Sequence, residues 1–425
     1  MDLADWLRHI ERLHPQTIAL GLDRVRAVLG RLAIPKFCPI VTVGGTNGKG
    51  STCAMLEAIL GAAGYRVGCY TSPHLLRYNE RVRIAGREAD DAALGESFRM
   101  VEAARGETAL TYFEFGTLAA WAAFARSGLD VVVLEVGLGG RLDAVNVFDP
   151  DAAVLTSIGL DHQDYLGDTR ERIGWEKAHI FRAGRPAIVG DPNPPQSVVE
   201  HARAIGAALA VIGREFGFTA EANQWRYFGP GGTRGGLAYP ALRGAVQLSN
   251  AACAIAVLDA LRERLPVGAQ DVRTGLARVE LPGRFQVLPG EPAIVLDVAH
   301  NPQAASVLAE NLAAMGPARR TLAVVGMLRD KDLAGVCARL RGRVDRWYAA
   351  TLDNPRGATA GELAAAIAAA DASADVREFS APGLALAAAR EEAGRDDRIV
   401  AFGSFFTVAS VMAAHAATSR SPNGG

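Results

Sequence analysis

Residues 40–52 read IVTVGGTNGKGST: an apolar run, a glycine-rich turn carrying one lysine, and the opening of a helical pattern. Glycines let backbone N–H groups converge on phosphate oxygens, and the first turn of a helix adds partial positive charge. Lys49 would supply a point charge to β- and γ-phosphates. The strict pattern G-x-x-x-x-G-K-[ST] is not met. Val43 stands at its first glycine position, Gly50 follows the lysine, and the hydroxyl arrives one place later at Ser51. A plain strand-to-helix turn is the alternative, and the lysine and flanking strand favour the phosphate loop.

Outward from this loop, short β-branched runs alternate with helical patterns. Strands are expected at 40–43, 67–70, 131–136, 153–156, 187–189, 294–297, 322–325, 347–350 and 398–401, and helices at 51–63, 118–127, 170–181 and 302–315. Such alternation predicts an α/β fold with a mostly parallel sheet. The run VVVLEV suits a central strand buried on both faces. Residues 223–248, rich in glycine and aromatics, predict a small β excursion, and LPGRFQVLPGEP (281–292) breaks the series before it restarts at Ile294. We therefore expect a P-loop ATPase domain over 1–285 and a smaller Rossmann-like C-terminal α/β domain over 291–418. The closing SRSPNGG reads as a disordered tail.

The 425 residues carry 45 Lys+Arg against 46 Asp+Glu, a balance that argues against a nucleic-acid or acidic-membrane partner. No run reaches the length of a membrane span, and the first residues lack a basic-then-apolar leader. The five cysteines are scattered with no C-x-x-C pair, which fits reduced thiols in the cytoplasm rather than disulfides or zinc. Only four of the basic residues are lysine: Lys36, Lys49, Lys177 and Lys331. A lysine amine can lose its proton where arginine cannot, so each position is singled out.

Several polar residues sit where chemistry is expected. Glu135 ends a buried apolar strand, where an unpaired carboxylate would be expensive. At the carboxyl edge of a parallel sheet it faces the ligand crevice, and Mg²⁺ with ATP phosphates is a natural partner; an ion-paired glutamate is the other reading. Ser72 follows a second strand as an ordinary turn serine or a hydroxyl ligand. His162, in GLDHQDYLG, reads as a structural donor or a ligand. Phe113 and Phe115 read equally as core or substrate contacts. GLGGRL lacks the third glycine of a dinucleotide motif, because Leu142 stands there. Past the break, Arg284 is available to a phosphate, and Asp297 with His300 closes a strand where an aspartate could take a ribose hydroxyl.

GTNGKGST (45–52) resembles the ATP loop of the Mur ligase superfamily, specifically its folate branch. The segments YTSPHL (70–75), FEFGT (113–117), LEVGLGGRLDAVN (134–146), SIGLDHQDYLG (157–167), EKAHIFR (176–182), LPGRFQ (281–286), LDVAHNP (296–302) and GSFFTV (403–408) follow in the same order. The resemblance implies ATP and Mg²⁺ as cofactors. It implies ATP contacts at Gly48, Lys49, Gly50, Ser51, Asn250, Arg284, Asp297 and His300, with the nucleotide between the domains. It further implies magnesium ligands at Ser72, Glu135, His162 and Lys177, the last as a carbamate formed from CO₂. In bifunctional members a dihydropteroate pocket corresponds to Thr111, Tyr112, Phe113, Glu114, Leu142, Asp143 and Ala144, and IALGLDRV (18–25) resembles a loop nearby. Phe406 stands where many members have histidine, and no role is given to it.

The implied activity is ATP-dependent ligation of L-glutamate to dihydropteroate and to reduced folates through an acyl phosphate, with Lys49, His162 and Lys177 at the chemistry. The expected partners are small molecules alone, with no nucleic acid and no membrane, and the chain is taken as a cytoplasmic monomer. A monofunctional folylpolyglutamate synthase or another Mur-type ligase is the alternative within the class. A P-loop phosphotransferase or ATPase making no amide is the alternative outside it. Lys36 is expected at the surface and Lys331 in a structural role.

Overall fold

Valine- and isoleucine-rich runs form the frame, because branched side chains pack well on a pleated surface. The computed structural model describes residues 1–16 and 18–419, so the expected tail lies, apart from Ser419, outside the described residues. The chain divides into two units, residues 1–241 with 247–280, and residues 242–246 with 281 onward.

The first unit is built on eight strands: β1 (Ile40–Gly44), β2 (Val67–Tyr70), β3 (Val82–Ile84), β4 (Arg87–Glu88), β5 (Val131–Glu135), β6 (Ala152–Leu155), β7 (Pro186–Val189) and β8 (Ala208–Val211). Their order is β4-β3-β2-β5-β1-β6-β7-β8. The six strands from β2 to β8 along this order are parallel, and β3 and β4 add antiparallel at one edge. The register sets Val43 beside both Glu135 and Val154, so β1, β5 and β6 end side by side. Every residue of β1, β5 and β6 is buried, as the continuous apolar runs required.

Three further strands, β9 (Gly217–Ala220), β10 (Trp225–Gly229) and β11 (Gly232–Leu237), form the antiparallel excursion, and a helix begins already at Val246. The buried Asp259 carboxylate pins this small sheet, accepting from Tyr227 Oη at 2.9 Å and Arg234 Nη2 at 2.6 Å.

The second unit has six strands, β12 (Gln286–Leu288), β13 (Ala293–Asp297), β14 (Thr321–Val325), β15 (Arg346–Ala350), β16 (Val376–Phe379) and β17 (Arg398–Phe402), in the order β12-β13-β17-β14-β15-β16. β12 is antiparallel to β13 and the others are parallel.

Two helices differ from the sequence expectation. The helix expected from 118 spans Tyr112–Ala125, because Thr111 and Glu114 form a reciprocal cap that starts it inside the aromatic run. The helix expected to run to 181 is Arg170–Ala178; beyond it Ile180 and Phe181 N–H close three-residue turns on Lys177 and Ala178 carbonyls. Among the described residues no helix is long and apolar enough to cross a membrane. The five cysteines are free and buried.

Candidate active site

The loop after β1 is braced by the loop after β6. Thr46 N–H donates to Ser157 O at 2.7 Å, Asn47 N–H donates to Ser157 Oγ at 3.0 Å, and Thr156 Oγ1 donates to Asn47 O at 2.7 Å. Gly45 has φ +136° and a Cβ there would collide with Thr156 Oγ1, so no side chain fits. Gly48 has φ +92° and caps the helix Lys49–Ala62, and a Cβ on it would lie 2.5 Å from Asn250 Oδ1. The first-turn N–H groups of that helix, from Lys49, Gly50 and Ser51, have no intrahelical acceptor and present a site for anionic oxygen. Gly48, Lys49, Gly50, Ser51 and Asn250 are therefore brought together, and this cradle fits a nucleotide phosphate.

Two lysines meet at one carbonyl. Lys49 Nζ donates to Gly45 O and Thr46 O, each at 3.1 Å, and Lys177 Nζ donates to Gly45 O at 2.9 Å. Lys177 is buried, and burial first, then the charge of Lys49, brings its pKa down from 10.5 to about 7. Asp161 and Asp143 pull the other way. An amine with this pKa is about 90% neutral at pH 8, against well under 1% for an ordinary lysine.

Glu135 closes β5 with its side chain buried, and Oε2 accepts from Ser72 N–H at 2.9 Å. His162 has φ +52° and opens the short helix Gln163–Leu166; its Nε2 lies 3.9 Å from Asp161 Oδ2. Among the described residues no group of three or more His, Cys, Asp and Glu side chains is placed to hold a metal ion. The donor set still fits magnesium carried by a nucleotide, since Mg²⁺ takes one or two carboxylates and completes its shell with phosphate oxygens and water. Glu135 and Ser72 suit that role. Lys177 as an amine does not suit a hard cation; a carbamate on it would, because it offers oxygen.

Beside this cradle the structure collects the other expected segments. Thr111 and Glu114 cap the helix Tyr112–Ala125, with Thr111 N–H donating to Glu114 Oε2 at 2.8 Å. The two phenylalanines separate: Phe115 is core, whereas Phe113 is half-buried, and its ring would lie 2.6 Å from a Cβ on Gly137. Asp143 accepts from Leu138 N–H at 2.8 Å and Val145 N–H at 2.9 Å, shaping the 137–144 loop. Burial raises its pKa to about 6 despite these bonds. Leu142 O accepts from Gly21 N–H at 3.3 Å, which joins the 18–25 loop to the same wall. Ala144 begins the short turn that follows.

Sequence reasoning missed three residues here. Arg24 grips Glu114 with two nitrogens, at 2.8 and 3.2 Å, and donates to Ala19 O at 2.6 Å, so it fastens the early loop onto the pocket helix. Asp161 acts electrostatically on Lys177 and stands next to His162. Arg81 lies over the rings of Tyr78 and Tyr112 and donates to His74 Nδ1 at 2.8 Å; burial, then this guanidinium, hold His74 down at about 4. A pairing across 90 residues, as between Arg24 and Glu114, leaves no local pattern to read.

In the second unit Asp297 ends β13 and accepts from Phe285 N–H at 2.9 Å and Ala299 N–H at 2.8 Å. Burial raises its pKa and nearby Arg284 opposes that. Arg284 lies 5.0 Å from the centre of the Phe405 ring. His300 Nδ1 bonds Val298 O at 2.8 Å. These residues form a second polar group at a sheet's carboxyl edge.

The fold and these loops are those of a Mur ligase. Residues 43–258 match the Mur ligase middle domain and residues 283–405 the Mur ligase glutamate ligase domain. The dihydrofolate synthase/folylpolyglutamate synthase of Escherichia coli K12 is 48% identical over 411 residues, covering 96% of this chain and 94% of its own. That of Haemophilus influenzae is 40% identical, covering 97% of each. The structure of E. coli FolC in complex with DHPP and ADP superimposes with a TM-score of 0.93 at 47% identity, covering 99% of each chain. A bifunctional folylpolyglutamate synthase/dihydrofolate synthase with Mn, AMPPNP and L-glutamate bound gives 0.90 at 49% identity, covering 98% of each. The chain belongs to the dihydrofolate synthase/folylpolyglutamate synthase family.

Proposed function

We propose that this chain is a bifunctional ATP-dependent ligase that joins L-glutamate to dihydropteroate and to reduced folates. The observation that carries the reading is the meeting of Lys49 and Lys177 on Gly45 O, beside a pocket wall made by residues 111–114 and 137–144. One amine is placed for phosphate charge, and the other is desolvated enough to lose its proton from about pH 7 upward.

Ligation needs the acid's carboxylate to take the γ-phosphoryl group and the amine of glutamate to displace phosphate. Positioning and charge neutralisation supply most of such a rate enhancement. The Gly48–Ser51 turn binds phosphate oxygens, and Lys49, freed from Gly45 O, follows the transferred charge. The wall formed by Phe113, Leu142, Asp143 and Ala144 orients the flat organic acid, and the Arg24–Glu114 pair keeps its rim in place. Asn250 packs against Gly48 and is assigned to the nucleotide. Arg284, Asp297 and His300 are assigned to the nucleotide. Ser72, Glu135, His162 and a carbamylated Lys177 would hold Mg²⁺, which supplies charge neutralisation at the phosphates. Five free, buried cysteines support a cytoplasmic enzyme, and we take it to act as a monomer on small molecules.

The test incubates the pure protein with ATP, Mg²⁺, glutamate and either dihydropteroate or tetrahydrofolate, following product by mass. Glutamylated product from both acids is expected. Product from tetrahydrofolate alone would remove the first activity, and phosphate release indifferent to glutamate would overturn the ligase reading.

A further inference from the structure

The helical turn that carries Lys177 is gripped from two sides by residues with no part in the reading above. On one side, Arg141 N–H donates to Glu176 O at 2.9 Å. Its guanidinium takes the Glu176 carboxylate with Nε at 3.2 Å and Nη2 at 2.9 Å. The same guanidinium lies 5.0 Å from the centre of the Trp175 ring, so one side chain spans two successive helix residues. On the other side, Asn146 is buried, and its Nδ2 donates at 3.2 Å both to Arg141 O and to His179 O. Arg182 Nη2 in turn donates to Asn146 Oδ1 at 3.0 Å and fixes that amide.

Between the two grips the backbones touch. A Cβ on Gly140 would lie 2.8 Å from both Glu176 O and Lys177 O. The loop over 137–146 therefore abuts the turn as closely as backbones allow. This loop also carries Leu142, Asp143 and Ala144, which form the proposed pocket wall. A planar fork paired bidentately and stacked on an aromatic ring is a rigid contact, unlike a lysine's point charge.

We propose that Arg141 and Asn146 are positioning residues that latch the Glu176–Lys177 turn to the pocket loop, keeping the Lys177 amine seated on Gly45 O. Occupancy of the pocket and placement of this amine then move as one piece. The kinetic consequence rests on the ligase reading; the placement itself does not.

The scarcity of lysine makes the placement measurable. Acetic anhydride acetylates free amines, the new C–N bond forming as acetate leaves, and the four lysines are resolved by peptide mass spectrometry. In the native protein Lys177 is expected to react at least about tenfold more slowly than exposed Lys36. In Arg141→Ala and in Asn146→Ala its rate should rise about tenfold while that of Lys49 stays within about twofold. Arg141→Glu should open the turn in the same way, and the exchanged pair Arg141→Glu with Glu176→Arg should restore slow labelling. The kinetic readout is a kcat for glutamylation reduced about tenfold or more, with KM for ATP within about twofold. Unchanged Lys177 labelling in all three single variants overturns the proposal. So does a parallel rise at Lys49, which would mean general loosening. If no form of the protein ligates glutamate, the ligase reading fails while the labelling still decides the latch.

Discussion

Replacing Lys177 by methionine keeps the methylene packing and removes the buried amine. The native protein holds this amine at a pKa of about 7, mainly through burial, against 10.5 for an ordinary lysine. Between those values the unfolded chain binds the proton and the folded chain does not, so stability rises with pH across the window. Below pH 7 the group is charged in both states and its burial penalty is fully present. The slope approaches about 1.4 kcal/mol per pH unit inside the window. Integrated from about pH 6.5 to about pH 8.5, the native chain should gain about 2 kcal/mol relative to Lys177→Met. The assay is urea unfolding of both proteins at each pH, in chelator and with dissolved CO₂ removed, comparing differences so that other titrating groups cancel. A difference between the two proteins that stays flat within about 0.5 kcal/mol would refute the reasoning, because the amine would then be hydrated in the folded state.

Lys177→Arg retains charge but cannot form the carbamate readily; glutamylation should fall by on the order of 100-fold, read by steady-state kinetics. Lys49→Ala should lower ATP-dependent turnover by a similar factor, while leaving thermal unfolding within a few degrees. Gly48→Ala places a Cβ against Asn250 in a left-handed turn, so nucleotide binding should weaken sharply and stability fall by about 1–3 kcal/mol, measured by calorimetry. Asp151→Asn removes a buried carboxylate held by the part-exposed Lys36 at 2.7 Å and Arg264 at 2.6 Å, and should cost about 1 kcal/mol at neutral pH. Burial pushes Asp151 up, but Lys36, the Ile40 N–H and Arg264 more than offset it and hold its pKa below 3.8. The deficit should therefore persist above that value and vanish as acid titrates the native group, which urea midpoints across pH would show.

The phosphate loop and the strands around it were legible because their information is local. Apolar runs mark β1, β5 and β6, and the carboxylate that breaks the pattern at Glu135 lies at the strand's end. The boundaries were less legible where a cap decides them, as at Thr111 and Glu114, whose reciprocal bonds overrule the strand-like aromatics between. Lys36 lies at the surface, as its position before the first strand implies, but its ion pair with Asp151 and its bond to Asp149 O at 2.9 Å reach more than a hundred residues along the chain and leave no local pattern. Burial of Lys177 was equally invisible. It follows from Gly140 lying against the turn and from Gly45 offering a carbonyl, neither of which a helix of mixed composition announces. Arg24 and Asp161 escaped for the same reason: their partners are set by topology, not by spacing.

The strand order has a consequence for how such an enzyme changes substrate. Because β1 runs between β5 and β6, the phosphate loop has a separate neighbour on each side. The loop after β6 is spent bracing the turn at Thr46 and Asn47. The segments after β5 and at the start of the helix Tyr112–Ala125 are the ones proposed to contact the organic acid. On the proposed assignment, phosphate chemistry and acid selection occupy different strips of one sheet edge. The bonds that brace Thr46 and Asn47 from Thr156 and Ser157 come from neither residues 111–114 nor 142–144, although the charge of Asp143 reaches Lys49 and Lys177. The boundary between the two strips is the Gly140–Lys177 contact, so that is where altered selection would first be felt as altered rate.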